Sequence, residues 1–310
     1  MKRIISVLVL VFLLVSTVGC GTNKQEVNKG SVKIGYLPIT HSLPLYIEKQ
    51  VQKGDIELIK FGSWPELMDA LNSGEIDGAS VLIELAMKAK ANGIDLKAVA
   101  LGHKDGNAVV VDQSINSVED LKGKTFAIPS KLSSHNILTY KLLQEKGLKL
   151  SDINIVELAP TEMPVALAEK RISGYCVAEP FGAKSVVSGN AKLLKQSSEI
   201  IPNSICCAFV LRGDFIKNNN DKAKEVVSKY KEAAKYIQDN KEESNKLAKE
   251  YLNVQDNVLD LSLEWISFDN LRIEKKDYDR LTGEINELKL IENPPAYEDF
   301  VDNSLYDEVK

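Results

Sequence analysis

The chain has 310 residues, of which 44% are apolar, enough to bury one large core or two modest ones. Its formal net charge is −5 and no basic stripe runs through it, which excludes a nucleic-acid surface as the expected partner. A small ion remains compatible, because a local pocket can differ in sign from the whole chain.

In chain order, the first segment is "MKRIISVLVLVFLLVSTVGC": two cations, an apolar run from Ile4 to Val15, then small residues up to Cys20. That pattern predicts a signal peptide over residues 1–19, because the apolar run is too short for a spanning helix of roughly 20 residues. Without Lys2 and Arg3 the chain carries 37 basic against 44 acidic residues, a net of −7. Residues 20–31 are polar, have no hydrophobic period and are expected to form a flexible tether.

From Val32 onward, short apolar strands alternate with amphipathic helices, which predicts α/β layering with largely parallel sheets. The strands expected are "VKIGYL", "IELIKF", "DGASV", "KAVAL", "AVVV", "TFAI", "NIVEL", "GYCVA" and "CCAFVL". Helices are expected at "WPELMDALNSG", "SHNILTYKLLQEKG" and "MPVALAEKRISG", each closed by a glycine cap. After Arg212 the chain turns helical, with Ala223, Val226, Val227, Tyr230, Ala233, Ala234 and Ile237 at helical spacing and "NPP" as a later break. Gly-rich or turn-like segments near residues 108 and 208 read as crossovers. They divide the chain into one lobe made of 32–108 plus 209–310 and a second lobe of 109–208. Two connections between two lobes make a hinge and a cleft.

Five motifs in order, "IGYLPITHSLPLYIEK", "SWPELMDALNSGEIDGASVLIELA", "LKGKTFAIPS", "GYCVAEPFGA" and "CCAFVLRGDFI", resemble the solute-binding proteins of ABC importers for nitrate, bicarbonate, taurine and alkanesulfonates. Relatives of that family bind thiamine-precursor pyrimidines. The likeness runs from about Val32 nearly to the C-terminus. It implies a two-lobe periplasmic-binding-protein fold of the type II kind and capture of a small solute for a permease and its ATPase, with closure selected by the ligand. It implies no catalysis, and no Gly-rich phosphate loop or nucleophile elbow argues for an enzyme. The end of the signal segment resembles a lipobox, so Cys20 is expected to be acylated. A monomer tethered by lipid to the outer face of a bacterial membrane is the resulting expectation. Where the nitrate and bicarbonate branch often carries Asp, this chain has His41.

In open α/β sheets, ligands sit beyond the carboxyl ends of strands, at helix N-termini. The loops there supply Thr40, His41, Ser42, Ser63, Trp64, Ser80, Ser130, Ser133 and Ser134 as candidate donors or walls. Trp64 either walls a ligand or staples its helix, and Asp77 reads as a cap of loop amides. All three histidines, His41, His103 and His135, fall on such junctions. With Glu179 they form a sufficient ligand set for a divalent metal, zinc first among them. Alternatively, the imidazoles donate directly to an anion, leaving Glu179 as a helix-start carboxylate. A lipoprotein whose cargo is zinc and a pyrimidine-binding protein or enzyme are the competing functions. The remaining cysteines, Cys176, Cys206 and Cys207, fit no zinc-knuckle spacing and read as small buried hydrophobes.

Overall fold

In the computed structural model of the protein, residues 30–308 are described, so the expected signal peptide, Cys20 and most of the tether lie outside the described residues. From Val32 on, the chain forms one compact unit built on two five-stranded sheets.

The first sheet has the order β2-β1-β3-β11-β4, formed by β1 (Val32–Tyr36), β2 (Ile56–Lys60), β3 (Gly78–Leu82), β4 (Leu96–Leu101) and β11 (Cys207–Arg212). Strand β1 pairs in parallel with β2 and β3, whereas β11 enters between β3 and β4 antiparallel to both. Every residue of β3 is buried, as expected for a strand covered on both faces. The second sheet has the order β10-β6-β9-β7-β8, from β6 (Asn107–Val111), β7 (Thr125–Ile128), β8 (Asn154–Glu157), β9 (Gly174–Ala178) and β10 (Lys192–Gln196). All nine expected strands are present. The tenth long strand, β10, has no alternating pattern because it is a half-buried edge paired antiparallel to β6.

The chain passes between the sheets twice, and the two passages run side by side. Asp105 N–H donates to Ser204 O at 3.0 Å, and Gly102 N–H donates to Cys207 O at 2.7 Å. A two-stranded ribbon ties the C-terminal part to the same place: β5 (Lys104–Asp105) pairs with β12 (Ile266–Ser267). Gly106, at φ +75°, follows at once, and a Cβ there would come within 2.7 Å of Ile266 Cγ1, so only glycine fits.

Helices start where the sequence supplies caps. The Ser63 hydroxyl accepts from Glu66 N–H ahead of the helix Trp64–Ser73, whose end is closed by Gly74 at φ 81°. Ser133 accepts from Asn136 N–H ahead of Ser134–Gln144. The third expected glycine cap is different. The helix Met163–Ala168 stops early, Lys170 takes the left-handed conformation, and Gly174 instead opens β9. A side chain at Gly174 would press to 2.9 Å of Val111 Cγ1 on the neighbouring strand, which is why glycine sits there.

Beyond Arg212 the fold is helical, as read from the sequence. The long helix Asn220–Asp239 buries all seven residues of the predicted apolar stripe. Among the described residues no helix is long and apolar enough to cross a membrane.

Candidate metal centre

Strand β1 ends at Tyr36 and a single tight turn, Thr40–Ser42, leads into the helix Leu43–Gln50, which carries a proline in its first turn. This turn is locked from several sides. Thr40 donates both its N–H (2.9 Å) and its hydroxyl (3.0 Å) to Glu179 O, and Ser42 Oγ donates to Leu37 O at 3.2 Å. His41 is thereby turned inward, fully buried, with Nε2 2.9 Å from Gly106 O. A carbonyl can only accept, so Nε2 carries the proton and Nδ1 is the free donor atom.

Nδ1 of His41 faces Cys207 Sγ at 3.5 Å. The Sγ of Cys206 lies 3.9 Å from that of Cys207 and 3.8 Å from Asn107 Oδ1. His103, just past β4, stacks on His41 with ring centroids 3.4 Å apart, and its Nε2 accepts the Cys207 N–H at 3.4 Å. One donor atom from each of His41, His103, Cys206 and Cys207 falls within 4.8 Å of all the others, and none of the four residues is exposed. Two imidazoles and two thiols at this spacing match the donor set of a tetrahedral zinc ion.

The electrostatics fit a cation. Burial and the neighbouring His41 lower His103 to about 4, and burial lowers His135 to the same range, so both rings are neutral and able to coordinate near pH 7. Burial opposes ionisation of Cys206. Hydrogen bonding from Cys207 and the three imidazoles overcome that, and its pKa falls well below the usual thiol value. Cys207 is pushed up by burial and by its ionised neighbour. Burial also raises Glu84 well above the carboxylate range and Glu179 to about 8. Several polar atoms here are buried without a hydrogen-bond partner: His103 Nδ1, both nitrogens of His135, both oxygens of Glu84, Ser80 Oγ and Ser134 Oγ. Each such orphan carries a desolvation cost unless something else bonds to it.

The structure brings His41 and His103 together, and it adds two residues that sequence reasoning missed, Cys206 and Cys207. These cysteines are buried in the main hydrophobic core, as expected, and in addition Cys207 Sγ faces His41 Nδ1 while Cys206 Sγ contacts Cys207 Sγ and Asn107 Oδ1. His135 and Glu179 lie outside the group of four. His135 begins the helix Ser134–Gln144 and interacts electrostatically with His41 and Cys206. Glu179 Oε2 accepts from Ala183 N–H at 2.9 Å and from Ser262 Oγ at 3.1 Å, while Oε1 is an orphan. Trp64 is buried in the main hydrophobic core, and Ser130 is taken up in its own loop, where its Oγ accepts Leu132 N–H at 3.1 Å. Asp77 bonds a backbone amide, though a strand's rather than a loop's: its Oδ2 accepts from Lys33 N–H of β1 at 2.8 Å.

Comparison with known proteins adds a family and several relatives. A family model described as the NMT1-like family matches residues 25–252. A solved structure of the ligand-binding component of an ABC-type import system from Staphylococcus aureus, with zinc bound, is 40% identical, with a TM-score of 0.86 over 91% of this chain and 99% of that one. The putative aliphatic sulfonates-binding protein of Escherichia coli K12 is 26% identical over 256 residues, 79% of this chain and 77% of that protein. The periplasmic nitrate-binding protein NrtA of Synechocystis PCC 6803 shares the fold, with a TM-score of 0.79 at 18% identity over 90% of this chain and 88% of that one. Further curated relatives are matched over 60% to 63% of their own length.

Proposed function

Because the chain belongs to the NMT1-like family and has the two-lobe periplasmic-binding-protein fold of ABC-importer solute-binding components, we propose that its solute is a divalent, thiophilic metal ion, with zinc as the best match. One observation carries the reading: His41, His103, Cys206 and Cys207 offer four donor atoms within 4.8 Å in a fully buried place. Four protein donors suffice to hold a tetrahedral ion without an added water or solute, so the metal is read as the cargo itself rather than as a Lewis acid for a second solute. Thiols favour zinc and softer ions over magnesium, calcium or manganese. The zinc in the Staphylococcus aureus relative supports the same reading.

Nitrate, sulfonate or bicarbonate as cargo has less support here. The site's ionised group is the Cys206 thiol and its four donors include no Lys or Arg, so an oxyanion would meet a negative charge rather than a cation. In this reading His41 keeps its proton on Nε2, held by Gly106 O, and presents Nδ1 to the ion. Loading displaces the remaining thiol proton, so the bound pair of thiolates balances a divalent charge. The protein performs no chemistry on the ion. Acylation at Cys20 would tether a single copy at the outer face of the membrane, and lobes of residues 32–108 plus 209–310 and of residues 109–208 would close on the cargo before delivery to a permease and its ATPase.

The test is competition for zinc between the purified protein and a chromogenic chelator, with nitrate, bicarbonate and an alkanesulfonate titrated in parallel by calorimetry. One zinc per chain, with affinity lowered at least about a hundredfold in Cys206→Ser and in Cys207→Ser, is expected. Anion binding with no zinc affinity would refute the proposal.

A further inference from the structure

The four donors share one side of the molecule. His41 follows β1, His103 follows β4, and Cys206 and Cys207 open β11, all strands of the first sheet. His135 is different. It is carried by the helix Ser134–Gln144, whose Leu138, Leu142 and Leu143 pack into the second sheet's own core with Phe126, Ile128 and Val109. It is fully buried, both ring nitrogens lack a hydrogen-bond partner, and it lies within electrostatic reach of His41 and Cys206.

A ligand shifts a conformational equilibrium only through contacts that differ between the two states. An ion held solely by groups on the first sheet would bind open and closed forms alike, and loading would not report itself by closure. Some group on the second sheet has to sense the ion. Glu179, just past β9 of that sheet, has one oxygen committed to Ala183 N–H and Ser262 Oγ, and Asn107, the first residue of β6, has its N–H on Ser197 Oγ and its Oδ1 against the Cys206 thiol. His135 has neither restriction.

Building on the proposed metal cargo, we infer that His135 is the closure ligand: it is dispensable for capture by the four donors and joins the ion from the second sheet as a fifth ligand, so that occupancy and lobe closure are coupled. Orphaned ring nitrogens in a fully buried place are then the cost of keeping a coordinating group free until the ion arrives. On release, opening withdraws His135 first and returns the ion to the first-sheet set.

The experiment compares zinc affinity, zinc off-rate into excess chelator and radius of gyration by solution scattering for the wild-type protein, His135→Ala, His135→Cys and His41→Ala. Wild type should contract on loading. His135→Ala should still bind one zinc, about tenfold more weakly, release it faster and fail to contract. His135→Cys, which restores a zinc ligand at the same place, should recover the contraction. His41→Ala should lose capture itself. The inference is overturned if His135→Ala contracts like wild type, or if it loses zinc as completely as His41→Ala, which would make His135 a primary ligand. A wild type that takes up no zinc overturns the proposed cargo instead. Circular dichroism verifies each fold, and if His135→Ala does not fold, the His135→Cys variant decides alone: absence of contraction in a zinc-loaded His135→Cys overturns the inference.

Discussion

Cys207 does two things at once. Its backbone N–H bonds His103 Nε2, holding that ring until the ion takes the same lone pair, and its sulfur faces His41 Nδ1. Groups that merely orient metal ligands are worth about 10- to 100-fold in affinity, so Cys207→Ser should cost at least about a hundredfold in zinc affinity in chelator competition. A loss of only a few-fold would place the ion elsewhere. Glu179 makes a different prediction, about pH. Its folded pKa of about 8 lies above its ordinary 4.5 because burial disfavours the charge, so the folded protein holds a proton that the unfolded chain gives up. Stability from this group is therefore fully present below about pH 4.5, falls as pH rises toward 8, and then levels off. Metal-free wild type should lose of the order of a few kcal/mol across that window relative to Glu179→Gln, measured by denaturant unfolding at pH 5 and pH 8. Parallel pH profiles would show that Glu179 has another partner. At this scale the sequence indicated His41 and His103, because they stand at strand ends where this architecture places ligands, whereas other polar residues at such ends, Ser63 and Ser133, cap helices. The cysteines were hidden by their chemistry: a buried thiol and a coordinating thiol look alike until their neighbours are known.

Those neighbours depend on the direction of one strand. Had β11 run parallel to β3 and β4, Cys206 and Cys207 would have lain at the opposite end of the sheet from His103. Entering antiparallel, with Cys207 beside Leu82 and Ala208 beside Leu101, it brings its first residues to the carboxyl ends of its partners. Alternating strands and helices predict parallel pairing and give no sign of this reversal, although the returning crossover is the place to look for it. Nine of the ten long strands, the serine-capped helices and the helical C-terminal part were legible because each has a local signal. Edge strand β10 and the β5–β12 ribbon were not, since their stability comes from partners distant in sequence. The ribbon matters for the site through Gly106, which accepts the His41 proton while fitting under Ile266. Gly106→Ala should cost about 1–3 kcal/mol in unfolding free energy, through its positive φ and the displaced contact. It should also weaken zinc binding, because the carbonyl that fixes the His41 tautomer moves. Intact affinity in a destabilised Gly106→Ala would separate the ribbon from the site.

At the scale of the whole molecule, two sheets joined by adjacent passages form a body in which the proposed cargo lies at the seam. The fold is that of many solute-binding proteins, and fold alone does not choose the solute; the side chains at the seam do. Here they are imidazoles and thiols where an anion binder needs cations and hydroxyls. The most direct measurement is X-ray absorption at the zinc edge on protein loaded with one equivalent of zinc. Coordination by two sulfurs at about 2.3 Å and by the nitrogens of His41 and His103, joined by His135 in the closed form, at about 2.0–2.1 Å is expected, collapsing to a single sulfur in Cys206→Ser. A first shell of oxygen and nitrogen without sulfur, unchanged by that substitution, would contradict a metal held by His41, His103, Cys206 and Cys207.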